Sequence, residues 1–232
     1  QFYNLTVNAT GAIYTLGAAI VVNNDVTISN GNLDVSGANS AINCKGNWTV
    51  NGGGTFNAQQ GTVTLSKAGA TTQTITGGSF YNLILDNATA ATTAVKALAS
   101  TCNITGSITI GGGGAGTSQM STGTNDLYVA GNWTNNFTTG LSSTGTVNLN
   151  GLIGTQTIAG TQATTFNNLV LSGAAAKNIN VNQQVNGDLQ FSAASGTVTL
   201  AAAASITDGG STTNTFSISG AVTFVVLGAF PA

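Results

Sequence analysis

The chain has 232 residues, of which only four are cationic (Lys45, Lys67, Lys96, Lys177) and six anionic (Asp25, Asp34, Asp86, Asp126, Asp188, Asp208), with no His, Arg or Glu. Charged residues make up 4%, against about 25% in ordinary soluble domains. This removes the histidine of the usual catalytic arrangements and most zinc sites, the guanidinium fork for phosphate, and the cations that binding nucleic acid requires. No enzyme, cofactor or metal site is expected.

In chain order, the first element is the apolar-alternating run 2–7, FYNLTV. DVTIS, NLDVS, AINCK, NWTVN, GTFNA, GTVTLS and QTITG follow with Gly or Asn between them, the punctuation of short strands. Helix signals are poor, since Gly numbers 32 and Thr, Asn and Ser crowd every segment. Only 90–100 and 201–205 tempt as helices, and neither carries convincing caps. Taking one central apolar residue per strand gives Val26, Leu33, Ile42, Trp48, Phe56, Val63, Ile75 and Leu83. Three such strands span a little over twenty residues, the length of one rung of a parallel β-helix. An antiparallel β-sandwich is the alternative, but it spaces strands by about 8–12 residues, and three of the seven steps here are shorter.

A longer repeat lies over this one. FYNLTV at 2–7 returns as FYNLIL at 80–85 and FNNLVL at 166–171. Between the copies the order of phrases is kept: GNWT at 46–49 and 131–134, GTVTL at 61–65 and GTVNL at 145–149, QTI at 73–75 and 156–158. A fixed order at a long period is the mark of a repeat architecture. The reading is one elongated all-β domain over 1–232, with units at about 2–79, 80–165 and 166–220 and an apolar strand at 221–232. Asn4, Asn82 and Asn168 are placed at corners, where stacked amides form a ladder. Phe2, Phe80, Phe166, Trp48 and Trp133 are assigned to the core.

This string of phrases resembles repeats of very large secreted bacterial surface proteins and adhesins, which are similar to filamentous haemagglutinin. The resemblance implies a β-solenoid at the cell surface or outside it, and no catalytic residues come with it. The start at Gln1 fits a mature product freed of an export signal, and equally a piece of a longer chain.

Other motifs have plainer readings. GGGG at 111–114 lacks the Lys-Ser/Thr and the helix of a phosphate loop and reads as a loop. Cys44 and Cys102 are the one candidate disulfide in an exported protein, with free buried thiols the alternative. The Asn-x-Thr sequons follow from composition, and no spacing identifies a Lys–Asn crosslink. The Thr-x-Thr runs are too irregularly placed for an ice-binding array.

The two ends carry the functional expectation. FYNL at the start has no preceding strand to cover it, and 220–230, GAVTFVVLGAF, is the most apolar stretch, yet far short of the roughly 20 residues of a spanning helix. Open β edges recruit other strands. Phe2, Tyr3, Leu5 and Val7 of one copy are therefore expected to meet Val222, Phe224, Val226 and Phe230 of the next. A self-assembling extracellular filament subunit is the first reading, and a monomeric stalk or adhesin module contacting surface carbohydrate the second.

Overall fold

The structure, a computed structural model, describes residues 1–193, 196–210, 213–219 and 222–226. Among them there is no helix, and the strand pairings are parallel. The chain is a parallel β-solenoid of about 10 turns, not a sandwich. Each turn visits three faces in one order. The first face begins with Leu5–Thr15, Val26–Asp34 and Trp48–Asn57, continues to Leu141–Ser143, and resumes as a separate ladder of Thr164–Phe166, Gln183–Val185 and Ile206–Asp208. The second runs from Ser79–Phe80 to Phe216–Ser219 over seven strands. In the earliest turns the long first-face strands bend round and supply it, so Tyr14, Leu33 and Phe56 lead in register towards Phe80. The third face is one ladder of ten strands from Ile20–Val22 to Thr223–Val226.

Register on the third face gives the pitch. Ile20, Ile42, Val63, Leu83, Ile108, Trp133, Ile158, Ile179, Leu200 and Val226 lie one above another, 20 to 26 residues apart. The alternation in strands such as Ile42–Cys44 and Leu127–Val129 puts one set of side chains in the core and the other in solvent. All eight of the strand centres picked out by the sequence, Val26 to Leu83, are buried. The segment 90–100 is the strand Thr93–Leu98, because in-register neighbours at Thr72–Thr76 and Thr117–Gly123 supply a ladder that outweighs helix propensity.

The long sequence repeat is not a whole number of turns. In its first copy the phrase F-x-N-L crosses from third face to first, with Phe2 bridged to Val22 and Leu5 paired with Val26. In the second it crosses from second to third (Phe80, Leu83), and in the last from first to second (Phe166, Leu169). Each repeat therefore advances three turns and two-thirds of another. Trp48 and Trp133, and Gln73 and Gln156, also move from first face to third.

What recurs is a corner. Asn4 Oδ1 accepts from Asp25 N (3.1 Å), Asn82 Oδ1 from Ser107 N (3.0 Å), Asn168 Oδ1 from Asp188 N (2.8 Å), Asn47 Oδ1 from Thr74 N (2.9 Å) and Asn132 Oδ1 from Thr157 N (2.8 Å). The expected amide ladder is thus mostly a side-chain-to-backbone clasp; Asn24 Nδ2 to Asn4 Oδ1 (3.0 Å) is a true amide–amide rung. Gly precedes Asn47 and Asn132 because successive turns touch there: a Cβ on Gly46 or Gly131 would strike the backbone of Asn24 or Gly106. Gly131→Ala should lower unfolding free energy by about 1–3 kcal/mol. Gly37→Ala, with open space around it, should be neutral or stabilise by up to about 1 kcal/mol; urea denaturation of both variants checks the contrast.

Candidate functional site at the two end faces

At the amino-terminal end, Phe2 is tied to the second turn by Phe2 N to Val21 O (2.9 Å) and Asn23 N to Phe2 O (2.8 Å), and Leu5 N donates to Asp25 O (2.9 Å). Among the described residues no strand pairs with the outer edge of Leu5–Thr15. Phe2 is consequently half-exposed rather than in the core, Tyr3 is 72% exposed, and Leu5 is half-buried. Val7 alone among the four expected interface residues is buried, over Ile28. Tyr14 and Ile13 join the exposed group. Sequence pattern missed them because the bend in Leu5–Thr15 cannot be read from alternation alone.

At the other end, the inward columns of the described residues finish in partly to largely exposed side chains. Phe216 and Ile218 follow Leu189 and Phe191, Phe224 follows Val198, and Val226 follows Leu200. Phe216 is 60% exposed, although its ring packs edge-on against Phe191, 5.6 Å away; Phe224 lies 4.6 Å from the same ring. A cavity of about 320 Å³ opens here, lined by Leu189, Phe191, Leu200, Phe216, Phe224 and Val226 among others. Val222 packs partly buried against the core. Within the apolar C-terminal stretch, Phe224 and Val226 are partly open in the strand Thr223–Val226. Phe230 lies outside the described residues.

The cysteines do not meet. Cys44 pairs with Val22 and Leu65 on the third face, Cys102 with Leu127 on the second, and both thiols are free and buried. Burial pushes Cys44 up to about 11 and Cys102 up to about 12.

The interior also holds a duplicated polar device that spacing did not reveal. Gln73 Oε1 accepts from Lys67 N (3.2 Å), and one turn on Lys96 Nζ donates to Lys67 O (3.0 Å). In the second unit Gln156 Oε1 accepts from Gly151 N (3.1 Å), while Lys177 Nζ donates to Gly151 O (3.5 Å) and Ala175 O (3.0 Å). Gln73 pairs with Lys96, and Gln156 with Lys177, in register. Each pair grips both backbone groups of one loop residue. Lys96 is 0% exposed and Lys177 2%. Burial pulls both amines down to about 8, with Asp86 partly countering it at Lys96.

On the side of the solenoid, a groove of about 340 Å³ lies where the first-face ladder breaks between Leu141–Ser143 and Thr164–Phe166, lined by Gln119, Thr139, Ser142, Thr165, Asn167 and Asn186 among others. Among the described residues no group of three His, Cys, Asp or Glu side chains is placed to hold a metal ion, and no helix is long and apolar enough to cross a membrane. No family model, curated protein or solved structure matches the chain.

The lysine protons leave the folded state near pH 8 but the unfolded chain only near 10.5. Unfolding therefore takes up protons in that window, and stability rises with pH there. Above pH 9 the thiols oppose this, ionising first in the unfolded chain. Urea midpoints should climb from pH 7 to pH 9, and Lys96→Met should remove about half of the climb. A flat profile in the parent protein would contradict the buried-amine assignment. Maleimide should label neither cysteine in native protein and both in urea; rapid native labelling would show that the thiols are accessible.

Proposed function

We propose that this chain is a structural subunit that stacks end to end with copies of itself into an extracellular filament. The observation that carries the reading is the set of exposed apolar side chains on the two end turns, with the apolar cavity beside Phe216 and Phe224. In a parallel ladder, the edge left open by the last turn has the same donor and acceptor pattern that every interior turn presents to the next. On two faces a first turn of another copy continues the ladder, Leu5–Val7 over Ile206–Asp208 and the 13–15 segment over Phe216–Ser219; on the third, Phe2 already holds the outer edge of Ile20–Val22. Such a contact is heterologous and does not close on itself, so it propagates. Few charges stand in the way, and the exposed aromatic side chains at one end are matched by an apolar cavity at the other. The resemblance of the repeated phrases to those of secreted bacterial surface proteins supports placement outside the cell.

The second reading, an adhesin or stalk module that contacts surface carbohydrate, is favoured by the uncharged amide and hydroxyl groove at the ladder break. Electron microscopy of the purified chain separates the two. Filaments one solenoid wide are expected, and Phe216→Lys should abolish them while leaving the far-ultraviolet circular dichroism of the fold unchanged. Single rods at every concentration, together with binding to an oligosaccharide panel, would favour the second.

A further inference from the structure

The first face has, among the described residues, one step at which the ladder stops and restarts: Leu141–Ser143 pairs with Thr117–Gly123 behind it but not with Thr164–Phe166 ahead of it. Two amide bridges span that step at its ends, Asn135 Nδ2 to Ala163 O and Asn167 Nδ2 to Thr144 O, both 2.8 Å. The gap between them is therefore held at a fixed width, and it forms the groove of about 340 Å³. Leu141 and Phe166, both buried, make its base. Ser142 and Thr165 stand exposed along it, and among the described residues neither hydroxyl is used in a hydrogen bond. Gln119 Nε2 donates to Thr139 O (2.9 Å), which leaves its Oε1 to accept; Asn186 Oδ1 accepts from Gln184 Nε2 (3.1 Å), which leaves its Nδ2 to donate. These four groups lie on or beside strands of four successive turns, so they run along the solenoid axis for about 15 Å.

We propose that this groove binds a neutral oligosaccharide laid along the flank of the solenoid. The inference rests on the second reading above and gives it a site; it holds whether or not copies stack, because the groove is on a side face. Width excludes a peptide strand. Leu141–Ser143 and Thr164–Phe166 come within 8 Å of each other, whereas a strand slipped between them needs two ladder steps, about 9.5 Å. Charge excludes an ionic ligand. Among the described residues no Lys or Asp lines the groove, and an anionic glycan or a phosphate would give up hydration there without meeting a counter-charge. A sugar hydroxyl both donates and accepts, so a row of them meets the acceptor of Gln119, the donor of Asn186 and the two hydroxyls between. The C–H faces of the sugar rings rest on Leu141 and Phe166, and an apolar base with a few placed polar groups is the usual make-up of a small-ligand site.

The experiment is calorimetric titration of the parent chain, Gln119→Ala, Thr165→Ala, Ser142→Trp and Asn103→Trp, with circular dichroism confirming the fold. Cellohexaose, mannohexaose and laminarihexaose are the neutral probes and hexagalacturonate the charged one. At least one neutral probe should bind the parent chain, its affinity changing less than about twofold between about 0.05 M and 0.5 M NaCl. Gln119→Ala and Thr165→Ala should each weaken binding by about twofold to tenfold, the loss of one hydrogen bond. Ser142→Trp, whose ring fills the groove, should abolish binding, and Asn103→Trp, on the second face, should leave it unchanged. Neutral-sugar binding that survives Ser142→Trp overturns the groove and leaves the adhesin reading intact. Binding to hexagalacturonate alone, or binding that falls away with salt, overturns the neutral ligand. Silence towards every probe overturns the groove and the adhesin reading together, and leaves the stacking untouched.

Discussion

At each of the five corner clasps a side-chain carbonyl of Asn takes a backbone N–H one turn on, as Asn82 does with Ser107 and Asn132 with Thr157, and Asp126 serves Thr146 in the same way. A solenoid corner is where the ladder would otherwise lose a bond, since the chain leaves one face before it can pair on the next. An unpaired backbone N–H at such a place costs free energy comparable to a lost hydrogen bond. Closing it with a residue that also tolerates turn geometry fixes the register of both adjoining faces. The glycines at 46 and 131 belong to the same constraint, because only a bare Cα lets the turns approach closely enough.

That local origin explains the rotation of the long repeat. A corner clasp followed by an alternating strand is the same instruction at any of three corners. A phrase can therefore recur two-thirds of a turn out of phase without strain. Phe80 and Phe166 occupy different faces yet are both buried, as are Trp48 and Trp133. The fit is not identical: Trp133 Nε1 donates to Thr164 Oγ1 (3.0 Å), whereas Trp48 Nε1 has no protein partner.

Scarcity of charge and the polar interior have a common logic. Uncharged Thr, Asn and Ser on the outward positions let like residues stack turn upon turn at strand spacing without repulsion. Inside, the two buried lysines are tolerated because each amine finds loop carbonyls and each is matched by a glutamine that takes the N–H of the same residue. A loop that leaves the ladder is thereby anchored to the core. Among the described residues, the columns that are core in the middle turns end in exposed apolar side chains such as Phe216 and Ile218.

The strand content, the short period and the inward set from Val26 to Leu83 were legible in the amino-acid sequence, because alternation and turn residues act over a few positions and need no knowledge of the partner. So was the corner role of Asn, though not its partner, which is a backbone group some twenty residues on. The three-sided course, the phase of the long repeat, the Gln–Lys grip on Lys67 and Gly151, and the exposure of Tyr14 were decided only by tertiary structure. Each depends on which residues lie one turn apart, and turn length varies between 19 and 27 residues. The separation of Cys44 and Cys102 has the same cause: a difference of face, which spacing along the chain does not encode when the pitch is uneven.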